Sequence, residues 1–281
     1  MKVRILTAIG IFVVGLPILL LSNTLVYPIA LGILSSIAAW ELLRVLGYSK
    51  RLVVAIPAYL ISGLLPFFAS AKFVPSEQQI TYIAVMTIAL FLFVLWLRCV
   101  SVFSRGRVHF GDVASVFTAI AYVTVSFTSL TLLRYMHGGE MLYGLVFVCA
   151  WTSDTFAYFT GRLFGKHKLA PELSPKKTIE GSVGGVVFAI LACLLYGLIV
   201  ELVHEDYSAN YLALALIGAL CSVISQIGDL FASLIKREHG VKDYSNMLPG
   251  HGGVMDRFDS ALALCGLMLI ICKVFPPIIA I

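Results

Sequence analysis

The chain has 281 residues, 60% of them hydrophobic and only 12% charged, with a formal net charge of +5. Its mean hydropathy is +0.97. A soluble domain is about 45–50% apolar and about 25% charged, so a soluble globular class is excluded. The apolar residues come in unbroken runs of about 20, long enough to cross the hydrocarbon core as helices. A membrane barrel would instead alternate in hydrophobicity along each strand. The fold class expected is all-α, a polytopic transmembrane helical protein.

The first segment, Met1 to Leu21, places Lys2 and Arg4 before an apolar stretch, as a signal peptide does. Ser22-Asn23-Thr24 supplies no small-residue cleavage site, so a retained first helix is expected. Nine spans follow in order: Ile5–Leu21, Leu25–Leu43, Leu52–Ala71, Ile80–Val100, Val113–Leu133, Leu142–Phe159, Val183–Val203, Tyr211–Ile235 and Phe258–Phe275. They divide into an N-terminal region, 1–140, with spans one to five, and a C-terminal catalytic region, 141–281, with spans six to nine and two cytoplasmic loops. With the N-terminus cytoplasmic, all of the 20 Lys and Arg except Lys72, Arg134 and Lys273 fall on inside segments. That bias supports nine spans with the N-terminus inside and the C-terminus outside. The six cysteines lie in apolar runs with no CxxC spacing and are read as small core residues.

Two polar stretches are continuous with spans. The first runs from Trp151-Thr152-Ser153-Asp154 through Tyr158, Arg162, Lys166-His167-Lys168 and Ser174-Pro175-Lys176-Lys177-Thr178-Ile179-Glu180. The second runs from Gln226-Ile227-Gly228-Asp229 through Ser233, Lys236-Arg237 and Lys242-Asp243 to Pro249-Gly250-His251-Gly252-Gly253 and Asp256-Arg257-Phe258-Asp259-Ser260. On a helix, Asp229, Ser233, Lys236 and Arg237 share one face, and Asp256, Asp259 and Ser260 share another. The Pro/Gly connector between them suits a tight turn and close backbone approach. A carboxylate in a membrane helix is a functional candidate by default. Clustered carboxylate oxygens favour a hard cation such as Mg²⁺, which bridges one or two carboxylates and substrate phosphates. The surrounding Lys and Arg suit a polyphosphate.

Plainer readings stand beside these. Asp229 could simply pair with Lys236 or Arg237, and Arg257 could neutralise Asp256. His251 reads as a turn or phosphate contact, because no second His or Cys lies near it at ligand spacing. His167 reads as a loop residue. Asp154 is a candidate for substrate or metal contact, with a structural role as its alternative. Glu41, beside Trp40 at the end of span two, reads as an interface anchor.

At these residues the sequence resembles the phosphatidate cytidylyltransferase (CDP-diacylglycerol synthase) family. The run from Ser233 through Lys242-Asp243 to Leu248-Pro249-Gly250-His251-Gly252-Gly253-Val254-Met255-Asp256-Arg257-Phe258-Asp259 matches that family's signature throughout. Asp154 and the Lys166-to-Gly181 stretch agree as well. The resemblance implies transfer of the cytidylyl group of CTP to phosphatidate, giving CDP-diacylglycerol and pyrophosphate, with Mg²⁺ required and a monovalent cation such as K⁺ associated. It implies Asp229 and Asp256 as metal ligands and Asp259 as an assisting residue, with Lys236 and Arg237 also at the catalytic centre. Substrate contacts are expected from Asp154, Lys166, Lys168, Ser174, Lys176, Lys177, Thr178, Glu180, Ser233, Lys242, Asp243, His251, Gly252, Gly253 and Arg257.

The partners expected are CTP, phosphatidate and the lipid bilayer. A homodimer is the one protein assembly considered, and no nucleic acid is expected. The location expected is the plasma membrane, with the active site facing the cytoplasm. A CDP-alcohol phosphotransferase would carry an Asp-Gly pair, which this chain lacks. A CTP-dependent lipid-alcohol kinase is the nearer alternative. A cation-coupled transporter fits less well, because the polar residues gather toward one membrane side.

Overall fold

The computed structural model describes residues 2–70, 72–105 and 107–280. Met1, where the signal-like segment begins, and Ala71, which closes the expected third span, lie outside the described residues. The helices in chain order are α1 (Lys2–Leu20), α2 (Val26–Val45), α3 (Leu52–Phe68), α4 (Gln79–Phe103), α5 (Phe110–Tyr135), α6 (Gly139–Phe164), α7 (Ile179–Val203), α8 (Tyr211–Glu238) and α9 (Met255–Val274). Among the described residues, five helical segments are long and apolar enough to cross a membrane: Val26–Val45, Ser76–Phe103, Phe110–Tyr135, Ile179–Val203 and Tyr211–Glu238. Leu52–Phe68 is apolar but shorter. The chain is thus a helical membrane protein.

The helices are joined in two places by short strand pairs that an all-α expectation omits. Strand β1 (Lys168–Ala170) pairs antiparallel with β2 (Ser174–Thr178), and β3 (Tyr207–Ala209) pairs with β4 (Ile278–Ala280). Strands of three to five residues leave no periodic signal in a sequence, because one or two alternations are indistinguishable from a loop.

Two compact units make up the chain. The first holds residues 1–132 together with 239–258. Its core includes Ala39, Leu43, Tyr48, Val54, Ala58, Phe93, Leu97 and Ile120, drawn from α2, α3, α4, α5 and the turn after α2. Helices α2 and α3 approach closely through Gly32 and Gly63, where a Cβ on Gly32 would stand 2.6 Å from the Gly63 carbonyl oxygen. The connector between α8 and α9 belongs to this unit.

The second unit holds residues 133–238 and 259–281. Helix α7 explains how it packs. Gly181, Gly185, Ala189, Cys193, Gly197 and Val200 are buried on one face, while Val183, Val187, Leu191, Leu195 and Ile199 are exposed on the other. Small residues inside and large aliphatic residues outside invert the soluble pattern. In a membrane the outer face meets lipid, and small residues let helix backbones come close. A Cβ on Gly181 would stand 2.6 Å from the Ala157 carbonyl oxygen of α6, so that approach admits only glycine.

Candidate active site

In the second unit the site is built on β2, α6, α8 and the first turns of α9. The basic loop expected after span six is a hairpin: Lys168 faces Thr178 and Ala170 faces Ser174, with a shift of register between the two pairs. Glu180, in the first turn of α7, closes it. Its carboxylate accepts from the backbone N–H of Lys166 at 3.1 Å and of His167 at 3.3 Å, and meets His167 Nδ1 at 2.7 Å. Thr178 caps α7, its hydroxyl accepting from Gly181 N–H at 3.1 Å. His167 is therefore part of the hairpin's closure, a role the loop reading did not include.

This hairpin delivers Lys177. Its Nζ lies 2.6 Å from Asp229 Oδ2 on α8, with both side chains about a quarter exposed. Asp229 thus pairs with a lysine from the other polar stretch, where the plainer reading had Lys236 or Arg237 of its own helix. Asp154 on α6 hydrogen-bonds the Ser260 side chain of α9 and has Asp229 and Lys177 as charged neighbours. Asp259 has Asp229, Asp154 and Lys236 around it. Three carboxylates and two lysines from separate stretches of chain therefore share one neighbourhood. Below it, Gln226 of α8 joins α7 and α6: its Oε1 accepts from Ser182 Oγ at 2.5 Å, and its Nε2 donates to Ser182 O and Ser222 Oγ, each at 3.2 Å, and to Ser153 Oγ of α6 at 3.5 Å. Ser153 and Ser222 bond at 2.7 Å.

Asp256 lies in the first unit's part of α9 and is buried. Its Oδ2 accepts from the N–H of Tyr244 at 2.8 Å and of Gly253 at 2.9 Å. The Pro249-Gly250-His251 turn is closed by Leu248 N–H donating to Gly252 O at 2.9 Å and His251 N–H donating to Leu248 O at 2.8 Å. Gly250 and Gly252 take φ of 77° and 86°, left-handed values that favour glycine. A Cβ on Gly252 would also stand 2.7 Å from Asp256 Oδ2.

Ser174 and Ser233 are half-buried, the latter on α8 one turn beyond Asp229. Lys166, Lys168, Lys176, Arg237, Lys242, Asp243 and Arg257 are exposed. The six cations among them suit an incoming polyphosphate, and no ion pair among the described residues ties any of the six to a carboxylate. Glu41, read as an interface anchor, is wholly buried and accepts hydrogen bonds from Ser245 Oγ at 2.5 Å, Val254 N–H at 2.9 Å and Met255 N–H at 2.7 Å. The signal that could have found it is the one used for Asp229: an acid inside an apolar helix.

Residues 2–275 match the model of the cytidylyltransferase family. The chain belongs to that family. It is 37% identical over 276 residues to the phosphatidate cytidylyltransferase of Staphylococcus haemolyticus, covering 96% of this chain and 98% of the relative. It is 38% identical over 272 residues to the enzyme of that name from Staphylococcus aureus strain COL, with the same coverage. To the one from Bacillus subtilis it is 35% identical over 280 residues, covering 98% of each chain.

Proposed function

We propose that this chain transfers the cytidylyl group of CTP to phosphatidate, giving CDP-diacylglycerol and pyrophosphate. A phosphate oxygen of phosphatidate forms a bond to the α-phosphorus of CTP, and the bond from that phosphorus to the bridging oxygen of the β-phosphate breaks. The nucleophile is a phosphate monoester with a second pKa of about 6, so at pH 7 it is already mostly ionised. No general base is needed, which suits a site of lysines and carboxylates. The observation that carries the reading is the 2.6 Å pairing of Lys177 with Asp229, a phosphate-type cation and a metal-type carboxylate at one place in a family of cytidylyltransferases.

The donor set fits Mg²⁺. No three His, Cys, Asp or Glu side chains among the described residues close a metal site by themselves. That is how Mg²⁺ is usually held: by one or two carboxylates, with substrate phosphates and water completing the octahedron. Asp229 and Asp256 are the proposed ligands, with Asp259 assisting. Bound there, the ion would neutralise phosphate charge. Lys177, Lys236 and Arg237 bind and orient the triphosphate, holding the α-phosphate and the departing pyrophosphate in line. The exposed Lys166, Lys168, Lys176, Lys242 and Arg257 draw CTP from solvent, and the turn at His251, Gly252 and Gly253 meets phosphate through the His251 ring, whose Nδ1 has no hydrogen-bond partner among the described residues. Ser174, Thr178, Glu180, Ser233, Asp154 and Asp243 shape the surroundings.

The same reading places the chain in the plasma membrane as nine spans, N-terminus inside and C-terminus outside, with both basic stretches cytoplasmic. Phosphatidate then comes from the bilayer and CTP from the cytoplasm. K⁺ and a homodimer accompany it as expectations drawn from the resemblance.

The test is the purified protein in detergent with phosphatidate and α-labelled CTP, with and without Mg²⁺. Label entering the lipid only with the metal supports the reading. An unlabelled lipid across several divalent ions overturns it, and label entering only from γ-labelled CTP would make the chain a lipid kinase.

A further inference from the structure

Among the described carboxylates, Glu41 is one that the proposed chemistry leaves unused, although it is fully buried in α2. An ionised side chain so placed persists only where donors compensate its lost hydration. Three do, and all belong to the connector and first turn of α9. Ser245 Oγ and Val254 N–H donate to Oε1, and Met255 N–H donates to Oε2. Val254 and Met255 immediately precede Asp256, so Glu41 takes the part of an N-terminal cap for α9, supplied from a helix 213 residues away in the chain. Asp256 in turn accepts from Tyr244 and Gly253 N–H. Gly253 lies between the two carboxylates, and a Cβ there would collide with the Glu41 side chain. The two acids thus clasp one short segment from either side, and the position of one depends on the other.

We propose that Glu41 is a positioning residue for Asp256, setting the start of α9 so that the Asp256 carboxylate is presented for its divalent cation. This rests on the metal role of Asp256 in the proposed function. Glu41 itself touches neither substrate nor ion. Groups that orient a metal ligand commonly change metal affinity by about 10–100-fold when removed. The isosteric Glu41→Gln variant keeps the shape but turns an NH₂ toward donors that need an acceptor.

The test uses the full-length protein in detergent, wild type beside Glu41→Gln, with three readouts. These are amide hydrogen exchange over residues 244–255, the Mg²⁺ concentration that half-raises Tm, and the Mg²⁺ concentration for half-maximal transfer. Expected are faster exchange at Val254 and Met255 and both Mg²⁺ midpoints about tenfold or more higher, while kcat at saturating Mg²⁺ falls by less than about threefold. Ser245→Ala, which removes one donor and leaves the acid, should give a smaller change in the same direction. It also serves if Glu41→Gln does not fold.

Unchanged exchange overturns the inference. Faster exchange with wild-type Mg²⁺ midpoints also overturns it, leaving Glu41 as a structural clasp only. If the wild type itself shows neither a Mg²⁺-dependent Tm nor Mg²⁺-dependent transfer, the proposed function fails first and the inference falls with it.

Discussion

Lys177 Nζ lies 2.6 Å from Asp229 Oδ2, which ties the end of a basic hairpin to the C-terminal half of α8. The pair is only about three-quarters buried, so its worth to stability is modest, and under the proposed function its value is to hold a cation for the polyphosphate. Replacing the lysine by Met should leave the protein folded and lower kcat/KM for CTP by about 100-fold, or ~2.7 kcal/mol. Asp229→Asn should remove transfer almost completely. Label transfer from α-labelled CTP measures both, and a Lys177→Met enzyme with wild-type kcat/KM would take the lysine out of the site.

Glu180 closes the hairpin that carries Lys177, through Lys166 N–H, His167 N–H and the His167 ring. Glu180→Ala should release this closure. KM for CTP should rise by about tenfold with a smaller fall in kcat, since the loss is in presenting the cations, not in the phosphate chemistry. Trypsin should cut at Lys166 and Lys168 faster than in the wild type. Unaltered cleavage would mean the strand pair holds without its acid.

Gln226 lies three residues before Asp229 and bonds Ser182 of α7 twice. Interhelical hydrogen bonds in membranes average about 0.6 kcal/mol and reach about 1.7. Gln226→Leu should therefore cost ~1–3 kcal/mol, read as a lower Tm in detergent, with Ser182 left unpaired on the α7 side. Gln226→Leu with Ser182→Ala should recover part of that loss, because an orphaned hydroxyl costs more than an absent one.

Gly228 faces α9. A Cβ there would collide with Ala263 and stand 3.0 Å from the Asp259 carbonyl oxygen. Gly228→Ala should cost ~1–3 kcal/mol by overpacking, and lower activity by shifting Asp259 against Asp229. Ala263→Gly in the same chain should restore much of both. Absence of rescue would place the strain at the Asp259 carbonyl.

The membrane class was legible from composition, because insertion depends on local length and apolarity, and those are properties of each run of residues. The family signature was equally legible, since Lys242-Asp243, the glycine turn, Asp256 and Asp259 follow one another along one stretch. Gly250 and Gly252 belong with it: a left-handed φ is a local demand that only certain residues meet. The hairpin was not legible, because its strands are too short for a period to show.

Partnership was decided only by the tertiary structure. Nothing in the spacing of Asp229, Lys236 and Arg237 says that Lys177 takes the carboxylate, for helical neighbours at i+7 and i+8 compete with a strand end from another stretch of chain. Glu41 is the sharper case. Local sequence shows an acid beside a tryptophan at a helix end, which reads as an anchor in the interface. Its three donors come from residues more than 200 positions away. The free energy that keeps the charge buried is non-local, and only the folded chain brings those donors to it.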